Sequence, residues 1–355
     1  MGGKIKMNGL LTKKLVINLM RWFSVVVFIG TILLLHACRG DETPQRAFAE
    51  KLTKAQSYKV EGIMESYYDS GRKQNEFKVL YKHPELIKVE IKSGENSDKQ
   101  IILKNNEGVY ILIPAVNKNF KIQSDWPDNA SYPYLLQSLA KDIANDPEAI
   151  VTEDDMKVTI ETKTKMHADA TPVKQKIIFD KTTKLPTEVL VYDEDDNLYI
   201  RTVFTDIDFD YKISDDEFDL EGSMAAVRLE IGEEVVYENR EIGYPLYCPE
   251  GITLVSESIT SNPDGTERLA IMKYGSDYGF TLIQEYVNDN EVTRYQEENG
   301  EIYMVLGNVA ILKENSLQTI WRGIEYTVAS KDLIPEEMAK IVQGFLLEDP
   351  DEQPK

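Results

Sequence analysis

Asp193, Asp195 and Asn197 stand at the spacing of the first three ligands of a calcium-binding loop. Such a loop needs a glycine at its sixth position and a bidentate glutamate at its twelfth. Here those positions are Leu198 and Phe204, so the stretch reads as the charged end of a hairpin. Asp206, Asp208 and Asp210 alternate with Ile207 and Phe209, the pattern of a strand with one solvated face. His83, His167 and Cys248 are too few for a structural zinc site, which wants four clustered ligands. Gly275-Ser276-Asp277-Tyr278-Gly279 does not follow the order of a G-x-S-x-G nucleophile elbow. Acidic residues are plentiful, but no spacing singles out a pair suited to glycoside hydrolysis. The reading is that of a non-enzyme with no catalytic residues, metal or cofactor.

One cysteine is placed for covalent chemistry. Lys4, Lys6, Lys13, Lys14 and Arg21 come first with no acidic residue among them, then an apolar run from Trp22 to Leu35, then His36-Ala37-Cys38. A basic start, an apolar core of about 7–15 residues and a small residue before the cut make a secretory signal. The alternative is an uncleaved membrane helix, which takes about 20 apolar residues. The run here is shorter, and Ser24, Gly30 and His36 interrupt its surroundings. Leu35, Ala37 and Cys38 resemble a bacterial lipobox, whose thiol accepts diacylglycerol and becomes the new N-terminus. Residues 1–37 are thus read as a lipoprotein signal peptide, Cys38 as the lipidation site, and 38–44 as a short lipidated linker. Acyl chains such as palmitate would then hold the protein on the outer face of the cytoplasmic membrane. Cys248, left without a partner, reads as a core residue.

The whole chain carries a net charge of −21. Since the leader is wholly basic, the remainder is more acidic still. Such a body is repelled by nucleic acid and by anionic lipid. Attachment must come from the acyl chains, worth about 0.8 kcal/mol per buried methylene.

The elements follow from periodicity. Asp41 to Pro44 opens a short helix that ends near Gln56. From Tyr58 the period is two: Ile87, Val89 and Ile91 face one way and Lys88, Glu90 and Lys92 the other. About nine such runs follow, joined by short turns, which predicts a meandering antiparallel sheet. "VYILI" (109–113) and "EVLVY" (188–192) are apolar on both faces, so mid-sheet is covered twice or lines a cavity. A helical stretch, Tyr132–Asp146, has Leu135, Leu136, Leu139 and Ile143 on one stripe that could cover the concave side. Ser214 to Glu217 has capping-box spacing and closes the first domain, 45–222, near Gly222. Residues 223–347 read as a small α+β domain, with Pro263-Asp264-Gly265 as a hairpin turn, and 348–355 as an acidic tail.

Within Gln100–Ile143 the blocks "NNEGVY", "PAVNK" and "QSDWP" resemble the YdcC-type sporulation lipoproteins of spore-forming bacteria. More distantly, Cys38 to Gly222 resembles the LolA/LolB lipoprotein-carrier superfamily, and the two-part layout resembles the RseB/MucB regulators. The carrier resemblance implies a LolA-like half-open antiparallel β-barrel, plugged by helices, around a cavity that accepts acyl chains. Chosen by pattern, its lining would be Trp126, Tyr134, Leu135, Leu139, Ile111 and Ile113. The expected function is a membrane-anchored sporulation or germination lipoprotein that binds a hydrophobic ligand or lipidated partner. The rival is an envelope adaptor, with a filled core and no ligand, that holds a cell-wall hydrolase or a signalling regulator.

Overall fold

The computed structural model describes residues 43–68, 71–94, 99–124, 126, 130–232, 237, 240–263, 268–287 and 295–347. The leader, Cys38, most of the linker, the Asp264-Gly265 turn and the acidic tail lie outside these. Helix α1 (Pro44–Lys54), with proline in its first turn, precedes strands β1 (Ser57–Tyr68), β2 (Gly71–Lys82), β3 (Leu86–Lys92), β4 (Lys99–Asn105), β5 (Gly108–Ile113) and β6 (Lys118–Ile122). Helix α2 (Leu136–Asn145) leads into β7 (Ile150–Glu153), β8 (Lys157–Thr164), β9 (Val173–Asp180), β10 (Pro186–Tyr192) and β11 (Leu198–Asp208). After α3 (Leu220–Ile231) come β12 (Leu254–Ser261), β13 (Arg268–Tyr274), β14 (Phe280–Tyr286), β15 (Gln296–Glu298), β16 (Glu301–Val305), β17 (Asn308–Lys313), β18 (Ser316–Trp321), β19 (Ile324–Ala329) and α4 (Pro335–Gln343).

The expected mainly β architecture is present, organised as two open sheets. The first runs β15-β6-β5-β4-β3-β2-β1-β11-β10-β9-β8-β7. Two antiparallel meanders abut where β1 pairs with β11, and β15 returns from the second segment to lie parallel to β6. The second sheet runs β12-β13-β14-β19-β18-β17-β16, antiparallel throughout. In the first sheet β7 and β15 are the two edges, so it does not close into a barrel.

The doubly apolar reading of mid-sheet holds for β5 and not for β10, where Val189 and Val191 are buried but Leu190 and Tyr192, on the other face, are only half-buried; β4, beside β5, is also buried on both faces. Ile102, Val109, Ile111 and Ile113 join the main core, while Ile101, Leu103, Tyr110 and Leu112 pack on the other side with Phe218, Met224 and Val227. The second group is covered by α3 and the 3₁₀ turn before it, so each face of the pleat has its own partner.

Two local expectations are corrected. The interrupting helix starts at Leu136, not Tyr132, because Pro133 biases Tyr132 toward extended backbone and no side chain caps an earlier turn. The cap after β11 is Asp219, whose Oδ2 accepts from Gly222 N at 2.7 Å; Ser214 makes no side-chain cap. That helix, α3, runs on to Ile231, through the position drawn as the domain boundary.

The turn between β16 and β17 sets Leu306 at φ +50° and Gly307 at φ +77°, the left-handed pair of a tight hairpin. Asn75 Nδ2, on β2 of the first sheet, donates to Leu306 O at 3.1 Å, so this hairpin tip is docked across sheets. A Cβ on Gly307 would fall 1.9 Å from that nitrogen. Gly307→Ala is expected to cost about 1–2 kcal/mol in urea unfolding, from strained backbone and the displaced amide. An unchanged midpoint would show that the tip is not held.

Candidate functional site

The six residues expected to line a ligand cavity do come together. Ile111 and Ile113 rise from β5, Trp126 follows β6, Tyr134 and Leu135 lead into α2, and Leu139 sits on its first turn. All six are buried in one apolar cluster. Trp126 and Tyr132 are 5.7 Å apart between ring centroids, Tyr132 and Tyr134 5.7 Å, and Tyr134 and Phe77 5.9 Å.

What covers them is the second sheet. Alternation along β16 sends Ile302 and Met304 into this cluster and Tyr303 and Val305 toward α4. On β17, Val309 and Ile311 go the first way, and Ala310 and Leu312 the second. Ile320 of β18 completes the covering face. Beside Tyr132 and Tyr134, between Met64, Met166 and Met304, the remaining space is about 10 Å³. That is room for about one water. Burial drives the Tyr132 and Tyr134 hydroxyls well above the usual phenol range, as expected of a dry interior.

Polar groups stitch the sheets together around this core. Gln100 Nε2 donates to Ile320 O at 3.2 Å, and its Oε1 accepts from Val309 N at 2.7 Å. Tyr132 Oη donates to Ile302 O at 2.9 Å. Lys73, buried, donates to Leu346 O at 2.9 Å with its Nζ 3.7 Å from the Trp321 ring centroid. His167, set aside on sequence as one of too few ligands for a zinc site, is buried at the joint. Its Nε2 lies 3.0 Å from Glu336 Oε1, and Ala168 N donates to Glu301 Oε2 at 3.0 Å. No local pattern could have shown this, because Glu336 is 169 residues away.

The His167 contact holds the Glu336 carboxyl below its ordinary value of 4.5. A depressed carboxylate stabilises the fold above its unfolded value, and the gain is lost as pH falls through the folded one. Nearly half of that side chain is exposed, so screening limits the effect to under about 1 kcal/mol. Glu336→Gln should therefore lower stability slightly at pH 7 and match wild type under strongly acid conditions, by urea titration across pH. A constant difference would contradict the pairing.

Among the described residues, two larger spaces are open surface grooves. One of about 530 Å³ runs along α2 past Asp142 and Asp146, and another of about 610 Å³ passes His167, Glu301 and Glu336. Burial raises the Asp142 carboxyl, against hydrogen bonds from Ser131, Thr164 and Gln175, whereas the Thr162 hydroxyl holds Asp146 low. Both carboxylates are bound by the protein's own donors, so no raised pair shares the groove. Among the described residues, no cluster of three or more His, Cys, Asp or Glu is arranged to hold a metal. Asp193 instead accepts from the backbone of Asp195 and Asn197, closing its own turn. Burial raises the Cys248 thiol, the opposite of what a reactive thiolate needs. No described helix is long and apolar enough to cross a membrane.

A family model described as "Sporulation protein YdcC-like" matches residues 17–218, which take in all but one strand of the first sheet. Sporulation protein YdcC of Bacillus subtilis (strain 168) is 32% identical over 320 residues, covering 88% of this chain and 94% of that protein. The chain belongs to the YdcC-like family of sporulation proteins. The relative matches across both sheets, so the family resemblance extends beyond the segment the model describes. Among solved structures, a crystal structure of MucB aligns at 14% identity and TM-score 0.32 over 83% of this chain and 96% of its own. The LolA superfamily protein NE2245 from Nitrosomonas europaea aligns at 13% identity and TM-score 0.30 over 50% and 98%. Those scores are too low to assign a common fold.

Proposed function

We propose that this protein is a lipid-tethered, non-enzymatic envelope component of a spore-forming cell, acting in sporulation by holding a protein partner on its outer surface. Cys38 would carry the tether at the outer face of the cytoplasmic membrane. The observation that carries the adaptor reading is the occupied apolar face: β16, β17 and β18 already fill the place a ligand would take. Freeing it would expose Val287, Ile302, Met304, Val309, Ile311 and Ile320, at about 1.5–3 kcal/mol each. A long acyl chain returns about 0.8 kcal/mol per methylene, which roughly offsets that loss and leaves the broken Gln100, Tyr132 and Lys73 contacts uncompensated. Net displacement is unfavourable.

A second reading, capture of an acyl chain or lipidated partner, draws on one feature. Met64, Met166 and Met304 converge on the gap beside Tyr134, and methionine yields more readily than branched side chains. Titrating a fluorescent acyl probe into the full chain in detergent separates the two. The adaptor reading expects no saturable binding at micromolar probe, and saturable binding displaced by unlabelled fatty acid would overturn it. The tether has its own test. Cys38→Ser should abolish palmitate labelling in cells, and retained labelling would remove Cys38 as the attachment site.

A further inference from the structure

We infer that β12 is a docking edge that takes an extended segment of a protein partner as an eighth strand of the second sheet. This rests on the adaptor reading and names its surface. All eight residues of β12 are exposed, and among the described residues only β13 pairs with it. Sheet edges are normally kept short, charged with lysine, broken by proline or covered, because their free N–H and C=O groups recruit other strands. The other described edges follow that rule. β7 has four residues with Glu153 paired to Lys181, β15 has three, and β16 is buried against the first sheet. β12, "LVSESITS", has no lysine, arginine or proline, and its single irregularity falls at Leu254/Ser256, near its start.

Side chains add a recognition pattern. Glu257 lies opposite Met272 and Ile259 opposite Ala270, so both share the face that packs toward α4. α4 does not reach them. Val255 is 58% exposed and Ile259 42%, and Tyr244, itself exposed, donates its Oη to Glu257 Oε2 at 2.8 Å. An incoming strand would read Glu257 and Ile259 as acidic then apolar at alternate positions of that face. It would answer with a lysine or arginine opposite Glu257 and an apolar residue two places on, opposite Ile259. Charge selects the partner's chemistry. Glu257 is the only charged residue on the edge, and the chain carries −21, so a second copy brings like charge while a basic strand is drawn in.

The test uses the full chain in detergent and an eight-residue peptide with a central lysine, valine two places to either side of it and threonine at the intervening positions. Binding should slow hydrogen exchange about tenfold at β12 amides, and N-methylation of alternate peptide amides, which keeps the charge, should abolish it. Ile259→Lys should weaken binding at least tenfold, while Ile150→Lys on β7 leaves it unchanged. Equal weakening by both variants, or unchanged affinity of the N-methylated peptide, would reduce the effect to bulk charge and overturn the proposal. So would a dimer by light scattering that Ile259→Lys dissolves. In sporulating cells, a photo-crosslinker at position 255 should capture a protein that one at position 229 on α3 does not. Capture from 229 alone would overturn the β12 site and leave the adaptor reading standing. Capture from neither would overturn both.

Discussion

Tyr134→Ala is expected to lower stability by about 3–5 kcal/mol, the range for emptying a fully buried aromatic position. The ring stands where the two sheets meet, with Phe77 on one side and Met304 Sδ 4.0 Å from its hydroxyl on the other. The vacated space would therefore be shared by both sheets. Nearby Met64 and Met166 can swing in only part of the way, because their own backbones are held by β1 and the loop after β8. Tyr134→Phe, which gives up only a weak sulfur contact, should cost under about 1 kcal/mol. Two tryptophans make the measurement direct. Trp126 reports on the first core and Trp321 on the second. In urea, both should report one coincident transition that Tyr134→Ala moves to lower denaturant. A shift confined to Trp126 fluorescence would show that the sheets unfold independently.

Gln100→Leu should cost about 1–3 kcal/mol, because it leaves a buried donor of the second sheet without a partner and strips a buried acceptor there of one of its two side-chain bonds, the other coming from Asn308 Nδ2. Those groups are Val309 N and Ile320 O, both reached by one amide side chain from β4. Leucine matches the volume and the apolar surroundings, so the loss isolates the two hydrogen bonds rather than packing. Gln100 itself is buried, which removes solvent as a substitute partner. The Val309 amide should also exchange faster than in wild type by a factor consistent with the fall in stability. A neutral outcome would mean that the sheets dock by apolar contact alone.

Much of the fold was readable before any coordinates. The runs "IKVEIK" and "KVTIETK" became β3 and β8 because a period of two leaves a chain little choice once one face must be dry. The double burial of β5 was legible because "VYILI" is apolar at every position and so has no face suited to water. β7 was missed: its four residues, all exposed, carry no alternation. β15, "QEE", has no apolar signal at all and is a strand only because β6 offers it a ladder.

The candidate site divides along the same line. Sequence by itself marked Ile111 and Ile113, on a doubly apolar strand, and Leu135 and Leu139, on an apolar stripe, as leaving water, whereas Trp126 and Tyr134 lie outside strand and helix and carry no such periodic signal. Only the tertiary structure decided that β16, β17 and β18 cover these residues, with His167 and Gln100 seated at the joint. The physical reason is that periodicity is a local property of a few residues, stating that a face is dry. Which dry face covers which is set by shape and area matching between elements far apart in the chain.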